Sequence, residues 1–496
     1  MKKHIKNLRR KLKIFDPKLK EECGIFGISN TKDASALTAL GLHALQHRGQ
    51  EGCGIVTFDG KQYFSEKRFG LVGDNFNKEK ILKKLQGDYA IGHNRYSTTG
   101  ENTLRNIQPF FADTNAGGIG VAHNGNLTNS ISLRKKLVDE GAIFYTTSDT
   151  ETIVQLIAKS KRAKTIDKIV DAIFQIQGGY ALVMLTQTSL VGVRDPYGIR
   201  PLVIGKRISL ITQKEEWMVA SESLVLENND YQVVRDVEPG EAIFITHNGE
   251  FYSKQCSENP RLFPCAFEYV YLARPDSVMN GISVYKARLK MGDYLAQTIK
   301  QIINSGDVDV VMPIPDSSRP AAMQVARQLG IEYREGFFKN RYVGRTFIMP
   351  GQQKRKQSVR QKLNAMSTEF KNKNVLIVDD SIVRGTTSKQ IVQMAKDAGA
   401  NKVFFTSAAP PVRFPHVYGI NMPNREELIA HDRTISEIAE KLEIDNLVYQ
   451  SVDNLRKSII SDSGVEDLEM SCFTGSYVTG TVNQEYLKWV ENEYKS

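Results

Sequence analysis

The chain has 496 residues, 41% hydrophobic, 25% charged and 9% aromatic, which is the composition of a folded protein of two to four domains at roughly 150 residues each. No run approaches about 18 uninterrupted apolar residues, which argues against a membrane-spanning helix, and five cysteines without a Cys-x-x-Cys pair argue against a disulfide scaffold or zinc ribbon. The net charge of +10 is uneven: residues 1–22 hold nine Lys/Arg against Asp16, Glu21 and Glu22, a net +6, and the rest of the chain carries only +4.

That basic arm comes first. Ile5, Leu8 and Leu12 at helical spacing would let it lie on a membrane surface or on RNA. It is Lys-rich and has no Ser, unlike an organelle signal, and a removable leader is the favoured reading. From Cys23 to about Tyr252, short β-rich runs alternate with Gly/Asn turns. Strands are predicted at 24–28, 90–92, 119–122, 180–185 and 242–245, and amphipathic helices over 34–46 and 150–176. Layered α+β is the class this implies.

Four polar strings stand in this half: Leu45-Gln46-His47-Arg48-Gly49-Gln50-Glu51-Gly52, Gly92-His93-Asn94-Arg95-Tyr96-Ser97-Thr98, His123-Asn124-Gly125-Asn126-Leu127 and Thr147-Ser148-Asp149-Thr150-Glu151. Singly, Asn124-Gly125 reads as a hairpin turn, Ser148 or Asp149 as a helix cap, and Cys23 as a small buried hydrophobe. In this order behind Cys23 they resemble the glutamine amidotransferase domain of the N-terminal-nucleophile class. The resemblance implies a four-layer αββα domain over 23–255 and cleavage between Glu22 and Cys23, leaving Cys23 as residue one. The chemistry agrees: a thiol with pKa about 8.5 needs a base, and a free α-amino group with pKa about 7.7–8.0 on the same residue can serve. It also implies that Arg95 binds the glutamine α-carboxylate through its guanidinium fork. Asp149 would bind the α-ammonium, with Arg48 and Gly49 as further glutamine contacts. Asn124 and the Gly125 N–H would form the oxyanion hole.

A polar segment at 253–262 containing Asn259-Pro260 marks the boundary, and beyond it helices alternate with buried strands. The pattern predicts helix 285–303, strand 308–314, helix 320–329, strand 374–378, helix 388–398 and strand 402–407, a parallel-sheet α/β domain over 256–496. Residues 375–388 bring Asp379 and Asp380 to the carboxyl end of an apolar strand. The Arg384-Gly385-Thr386-Thr387-Ser388 loop follows at a helix N-terminus. Its amides and hydroxyls suit a phosphate, and the two carboxylates suit vicinal hydroxyls or Mg²⁺; phosphate plus diol describes a ribose phosphate. The string resembles the phosphoribosylpyrophosphate-binding motif of type I phosphoribosyltransferases. That resemblance extends to Val310 through Asp316, Ser317 and Ser318 as a pyrophosphate loop. It implies one Mg²⁺ per subunit at Ser317, Asp379 and Asp380, and makes the basic segment 339–363 a mobile lid.

Joined in one chain, the halves resemble the glutamine-dependent enzymes that aminate phosphoribosylpyrophosphate. The implied products are 5-phosphoribosylamine, glutamate and pyrophosphate, at the first committed step of purine (IMP) biosynthesis, with ammonia crossing a dry internal path. A cytoplasmic homo-oligomer, commonly a tetramer, inhibited by purine nucleotides is implied, with no nucleic-acid or membrane partner. Some relatives carry a [4Fe–4S] centre on four thiolates. Here Cys265 stands at one ligand position, His416 at the second, Glu466 and Glu469 at the last pair and Cys472 beside them, so no cluster is expected. Two rivals are weighed. An asparagine synthetase or sugar-phosphate-aminating enzyme would share the first half, but residues 375–388 specify ribose phosphate and no ATP-pyrophosphatase glycine loop is evident. A nucleic-acid-binding regulator would share the second, which the pI of about 9.1 suits. Salt-dependent RNA or DNA binding by protein lacking residues 1–22, without pyrophosphate release, would distinguish it.

Overall fold

The computed structural model describes residues 23–96, 103–115, 117–339, 363–420, 422, 424–461 and 463–495. The leader, Ser97-Thr98 and residues 340–362 of the basic segment lie outside that set. Two antiparallel sheets build the first half from β1 (Gly24–Ser29), β2 (Gly52–Phe58), β3 (Tyr63–Phe69), β4 (Tyr89–Arg95), β5 (Phe110–Thr114), β6 (Gly117–Leu127), β7 (Gly178–Thr186), β8 (Ser189–Arg194), β9 (Val203–Ile208), β10 (Glu215–Ala220), β11 (Gln232–Asp236), β12 (Glu241–Thr246) and β13 (Phe251–Gln255). One sheet runs β11-β9-β10-β1-β4-β2-β3, the other β13-β12-β8-β7-β6-β5.

The central strands are buried on both faces, so they read as continuous apolar runs rather than alternating ones; every residue of β7 is buried. Ile25, Val56, Ile91, Val183, Leu190 and Ile243 fill the space between the sheets. The sheets approach so closely at Gly27 that a Cβ there would lie 2.6 Å from Val183 Cγ1. Helices Ala34–Ala44 and Ser223–Glu227 cover the outer face of the first sheet, and Thr150–Lys159 and Thr165–Ile173 that of the second. The order helix, sheet, sheet, helix is the four-layer αββα arrangement. The single helix predicted over 150–176 is two: Ser160 turns extended, its hydroxyl donates to Asp171 and its carbonyl accepts from Lys168 Nζ at 2.6 Å. The second helix thus satisfies the end of the first, a tertiary event that periodicity does not register.

After β13 the chain stays on the first half: Arg261, Phe263 and Cys265 donate their N–H groups to the carbonyls of Pro196, Tyr197 and Ile199. A five-stranded parallel sheet follows, in the order Glu332–Tyr333, Val310–Pro313, Asn374–Asp379, Lys402–Ser407, Asn446–Tyr449. Helices Val284–Ile302, Arg319–Leu329 and Val452–Ile460 bury Ala287, Met291, Val325 and Leu455 against one face. Helices Thr386–Asp397 and Ile435–Leu442 bury Ile391, Val392 and Ile438 against the other. The strand order reverses between Val310–Pro313 and Asn374–Asp379, and the crevice beyond their carboxyl ends is where such sheets take ligands. Among the described residues no helix is long and apolar enough to cross a membrane.

Candidate active sites

Cys23 opens β1, its side chain buried against the end of β4. Its thiol donates to the Tyr96 carbonyl at 3.3 Å, and the Tyr96 N–H points back at Sγ at 3.4 Å. Burial pushes the thiol up to about 12 while the neighbouring Arg95 guanidinium pulls it down. A bridge joins the two sheets here, His93 Nε2 to the His123 carbonyl at 3.1 Å. It ties β4, which ends in Arg95, to β6, which continues into Asn124 and Gly125. That pair lies inside a strand rather than in a turn, with Asn124 opposite Ala181 and Gly125 opposite Tyr180. Gly125 has φ +133°, and a Cβ there would fall 2.1 Å from the Gly179 carbonyl oxygen, so only glycine fits. Both polar atoms of the Asn124 carboxamide are buried without a hydrogen-bond partner among the described residues. An unpaired buried amide is costly, about 1–3 kcal/mol, which marks a site that a ligand completes.

Asp149 sits at the start of helix Thr150–Lys159 and accepts the Leu127 N–H at 3.0 Å, with His123 Nδ1 3.6 Å away. Burial works to raise its carboxyl; His123 and the Leu127 and Thr150 N–H groups outweigh that and hold it low. Gly49 presses on the end of β4, where a Cβ would meet the Arg95 carbonyl carbon at 2.7 Å. The Arg48 guanidinium is wholly buried and bonds to Glu222 through Nε and to Glu268 at 2.7 and 3.2 Å. A glutamine contact from Arg48 would therefore fall to its backbone. Its side chain fastens the two halves together, a role that depends on a partner 220 residues away.

The second site lies at the sheet's reversal point. Ser317 Oγ donates to Asp380, Ser381 Oγ donates to Asp380 at 2.7 Å, and the Asp380 N–H donates to Asp379 at 2.9 Å. Asp379 and Asp380 are both buried, and burial holds both carboxyls above the usual range; the charge of Asp380 adds to this at Asp379, while the Ser317 and Ser381 hydroxyls and Arg288 pull Asp380 part of the way back. Ser318 Oγ donates to the Ile314 carbonyl. Asp316 pairs with Lys339 at 3.2 Å and with Arg319. Gly385 has φ +73°, and a Cβ would strike Ile429 Cδ1 at 2.2 Å. Thr386, Thr387 and Ser388 open the helix, whose N-terminus has no side-chain cap, leaving its amides to face an anion. Arg384 Nε pairs with Glu427 at 2.8 Å. Sequence reasoning missed Arg288, a buried cation on the otherwise apolar face formed by Val284, Ala287 and Met291; it donates to the carbonyls of Tyr269 and Ala273, and its charge acts on Asp380. That interruption of an apolar stripe was the available signal.

The structure also gathers Cys265, His416 and Glu469, whose ligating atoms lie within 4.8 Å of one another. Glu466 does not join them, being held at the surface by Arg261 at 3.2 Å.

Residues 93–228 match the glutamine amidotransferase domain model and residues 283–409 the phosphoribosyl transferase domain model. Amidophosphoribosyltransferases are similar along nearly their whole length: that of Pseudomonas aeruginosa is 47% identical over 95% of both chains. Those of Escherichia coli and Saccharomyces cerevisiae are 47% and 43% identical over 95% and 96% of both chains. The solved glutamine phosphoribosylpyrophosphate amidotransferase from B. subtilis, complexed with ADP and GMP, is 40% identical with a TM-score of 0.84, covering 93% of this chain and 98% of that one.

Proposed function

The chain belongs to the amidophosphoribosyltransferase family, and from that premise we propose how its residues divide the reaction. The enzyme is a glutamine-dependent transferase of purine biosynthesis that converts phosphoribosylpyrophosphate, glutamine and water to 5-phosphoribosylamine, glutamate and pyrophosphate. In our reading residues 23–255 are the glutaminase and 256–496 the phosphoribosyltransferase. Removal of residues 1–22 frees the α-amino group of Cys23, which takes the thiol proton as Sγ attacks the glutamine amide carbonyl. Arg95 holds the substrate α-carboxylate, and Asp149 with the Gly49 region holds the α-ammonium. The Asn124 carboxamide and Gly125 N–H take the oxyanion; collapse expels ammonia and leaves a thioester that water cleaves to glutamate.

Ammonia must reach the second site without meeting bulk water, which would protonate it and quench its nucleophilicity. It attacks C1 of the ribose as the C1–O bond to pyrophosphate breaks. Asp379 and Asp380 bind the ribose hydroxyls and stabilise positive charge at C1. The amides at Thr386, Thr387 and Ser388 take the 5-phosphate, and Asp316, Ser317 and Ser318 face the pyrophosphate. Ser317, Asp379 and Asp380 form an all-oxygen donor set that fits Mg²⁺, which when bound neutralises pyrophosphate charge. A [4Fe–4S] cluster does not fit the donor set of one thiol, one imidazole and one carboxylate. Purine-nucleotide inhibition, a homotetramer and a cytoplasmic site complete the reading; the B. subtilis relative solved with ADP and GMP supports the first.

The observation that carries the reading is the unpartnered Asn124 amide, on the strand that His93 bridges to the one whose end meets Cys23, in the same chain as two buried carboxylates at the sheet's reversal point. Mass spectrometry of the purified protein tests it directly: a mature chain beginning at Cys23 is required, and an active chain that retains residue 22 would contradict it.

A further inference from the structure

Residues 416–420 of the second half lie directly on the strand that carries Asn124 and Gly125. Asn126 Nδ2 donates to the Val417 carbonyl at 2.8 Å. A Cβ on Gly419 would lie 2.9 Å from Gly125 Cα, and a Cβ on Gly179 would lie 2.8 Å from Tyr418 Cβ. Gly179 is the residue across the ladder from Asn126, so this turn clamps both strands of the β6–β7 pair at the glycine. The Tyr418 hydroxyl anchors the clamp laterally on Thr479 at 2.8 Å.

The shape of the turn depends on one ring. His416 Nδ1 accepts the N–H groups of both Tyr418 and Ile420, each at 3.3 Å. On the ring's far side, Nε2 lies 3.3 Å from Glu469 and 3.5 Å from Cys265 Sγ. Cys265 and Glu469 are themselves joined by backbone pairing, and all three residues are fully buried. Two N–H donors at Nδ1 require its lone pair, so a neutral ring carries its proton on Nε2, facing Cys265 Sγ and beside the Glu469 carboxylate. With that proton in place, Nε2 offers no lone pair to a metal ion.

We propose that His416, in the phosphoribosyltransferase half, is a positioning residue for the glutaminase oxyanion hole, bracing the 416–420 turn that holds Gly125 in place, with Glu469 and Cys265 fixing its ring. The proposal rests on the reading of Asn124 and Gly125 as that hole. Because the oxyanion exists only in the transition state, the brace affects kcat for glutamine more than its KM.

The test uses the full, processed chain. His416→Asn keeps an acceptor near the Nδ1 position; His416→Gln keeps a polar group near Nε2 and loses the acceptor. Removing an oxyanion donor outright costs about 10²–10³ in kcat, and a displaced one about 10-fold. His416→Gln is therefore expected to lose about 10-fold in glutamine-dependent kcat, with its KM for glutamine and its ammonia-dependent synthesis near wild type. His416→Asn should recover most of that loss. Affinity for the γ-aldehyde analogue of glutamine, which forms a thiohemiacetal on Cys23 with its oxygen in the hole, should fall in step with kcat. Should His416→Gln fail to fold, Asn126→Ala cuts the same link at the Val417 carbonyl and is expected to show the same split. Wild-type glutamine turnover in these variants, equal loss of both activities, His416→Asn as slow as His416→Gln, or stoichiometric zinc or iron in the purified enzyme would overturn the brace. Asn124→Ala separates the two readings: if it keeps full glutamine turnover, the oxyanion reading itself fails, whereas a slow Asn124→Ala beside a normal His416→Gln rejects the brace alone.

Discussion

The two reaction centres treat charge in opposite ways. Around Cys23 the charges are mostly matched: Arg48 is neutralised by Glu222 and Glu268, and Asp149 is held ionised by His123 and backbone N–H groups. The neutral Asn124 carboxamide has no hydrogen-bond partner among the described residues, and in our reading it serves a charge that exists only during reaction. At the second centre Asp379 and Asp380 are buried side by side with their carboxyls raised, and their help is a few hydroxyls, amides and the field of Arg288. At the first centre a neutral buried amide lacks a partner that a ligand would supply; at the second two buried carboxyls are held against their charge, which an approaching cation would relieve. In our reading the first is preorganised for the transition state and the second is relieved by it.

The sharpest way to break this contrast is Cys23→Ala. It should abolish glutamine-dependent synthesis and leave ammonia-dependent synthesis, because the two centres share no reacting group; assays with each nitrogen donor decide, and loss of both in a folded variant would mean that they are one. Next is the Asp379→Asn, Asp380→Asn double variant. Synthesis from either donor should fall by about 10²-fold or more, while Cys23 still reacts with a glutamine-like affinity label. Stability should move the other way. A raised folded-state pKa means the ionised pair destabilises the fold, so wild-type stability falls as pH rises above about 4, and without metal the Asn pair should melt about 2 °C or more higher at pH 7. The gain should vanish at acid pH; calorimetry in chelator measures it.

Arg48→Met should cost about 3 kcal/mol by leaving two buried carboxylates under-compensated, Glu222 with His47 at 2.6 Å and Glu268 with Arg200 at 3.6 Å. Glu222 is pulled by Arg48 and His47 far below the usual carboxylate range against the opposing effect of burial. Its contribution is therefore present above about pH 4.3 and lost as pH falls, a slope that should weaken in the variant. Smallest of all, Glu466→Ala breaks an exposed pair with Arg261 and should change stability by no more than about 1 kcal/mol. A large effect there would return Glu466 to the buried cluster.

What was legible in the sequence was local. An apolar strand ending in Asp379-Asp380 and a glycine opening the next helix are contiguous, and strand 402–407 and helix 285–303 emerge within a residue of their predicted limits. The αββα layering came from the order of the polar strings rather than from periodicity, which overlooked β2, β3, β5, β8–β11 and β13, the buried ones among them because they do not alternate. Strand Asn446–Tyr449 and the helices around it were passed over for a different reason, their short length. Arg48 and His416 show the deeper limit. Both stand in strings that sequence reading singled out, one for glutamine and one as a cluster ligand position, yet Arg48 meets Glu268, 220 residues away, and His416 meets Cys265, 151 residues away. Chemistry could be assigned to a residue type; which way the side chain turned could not.

The backbone bonds of residues 261–265 to 196–199 bear on modularity. A stretch that looks like a spacer is stitched along the first half, so a gene cut after residue 255 would strip edge pairing from the glutaminase as well as removing its neighbour. Transplanting either half onto another partner should thus carry residues up to Cys265 with the first half. Even then, the graft would lack the surface that rests against Gly125. Fusion enzymes built from these parts inherit a seam rather than a hinge.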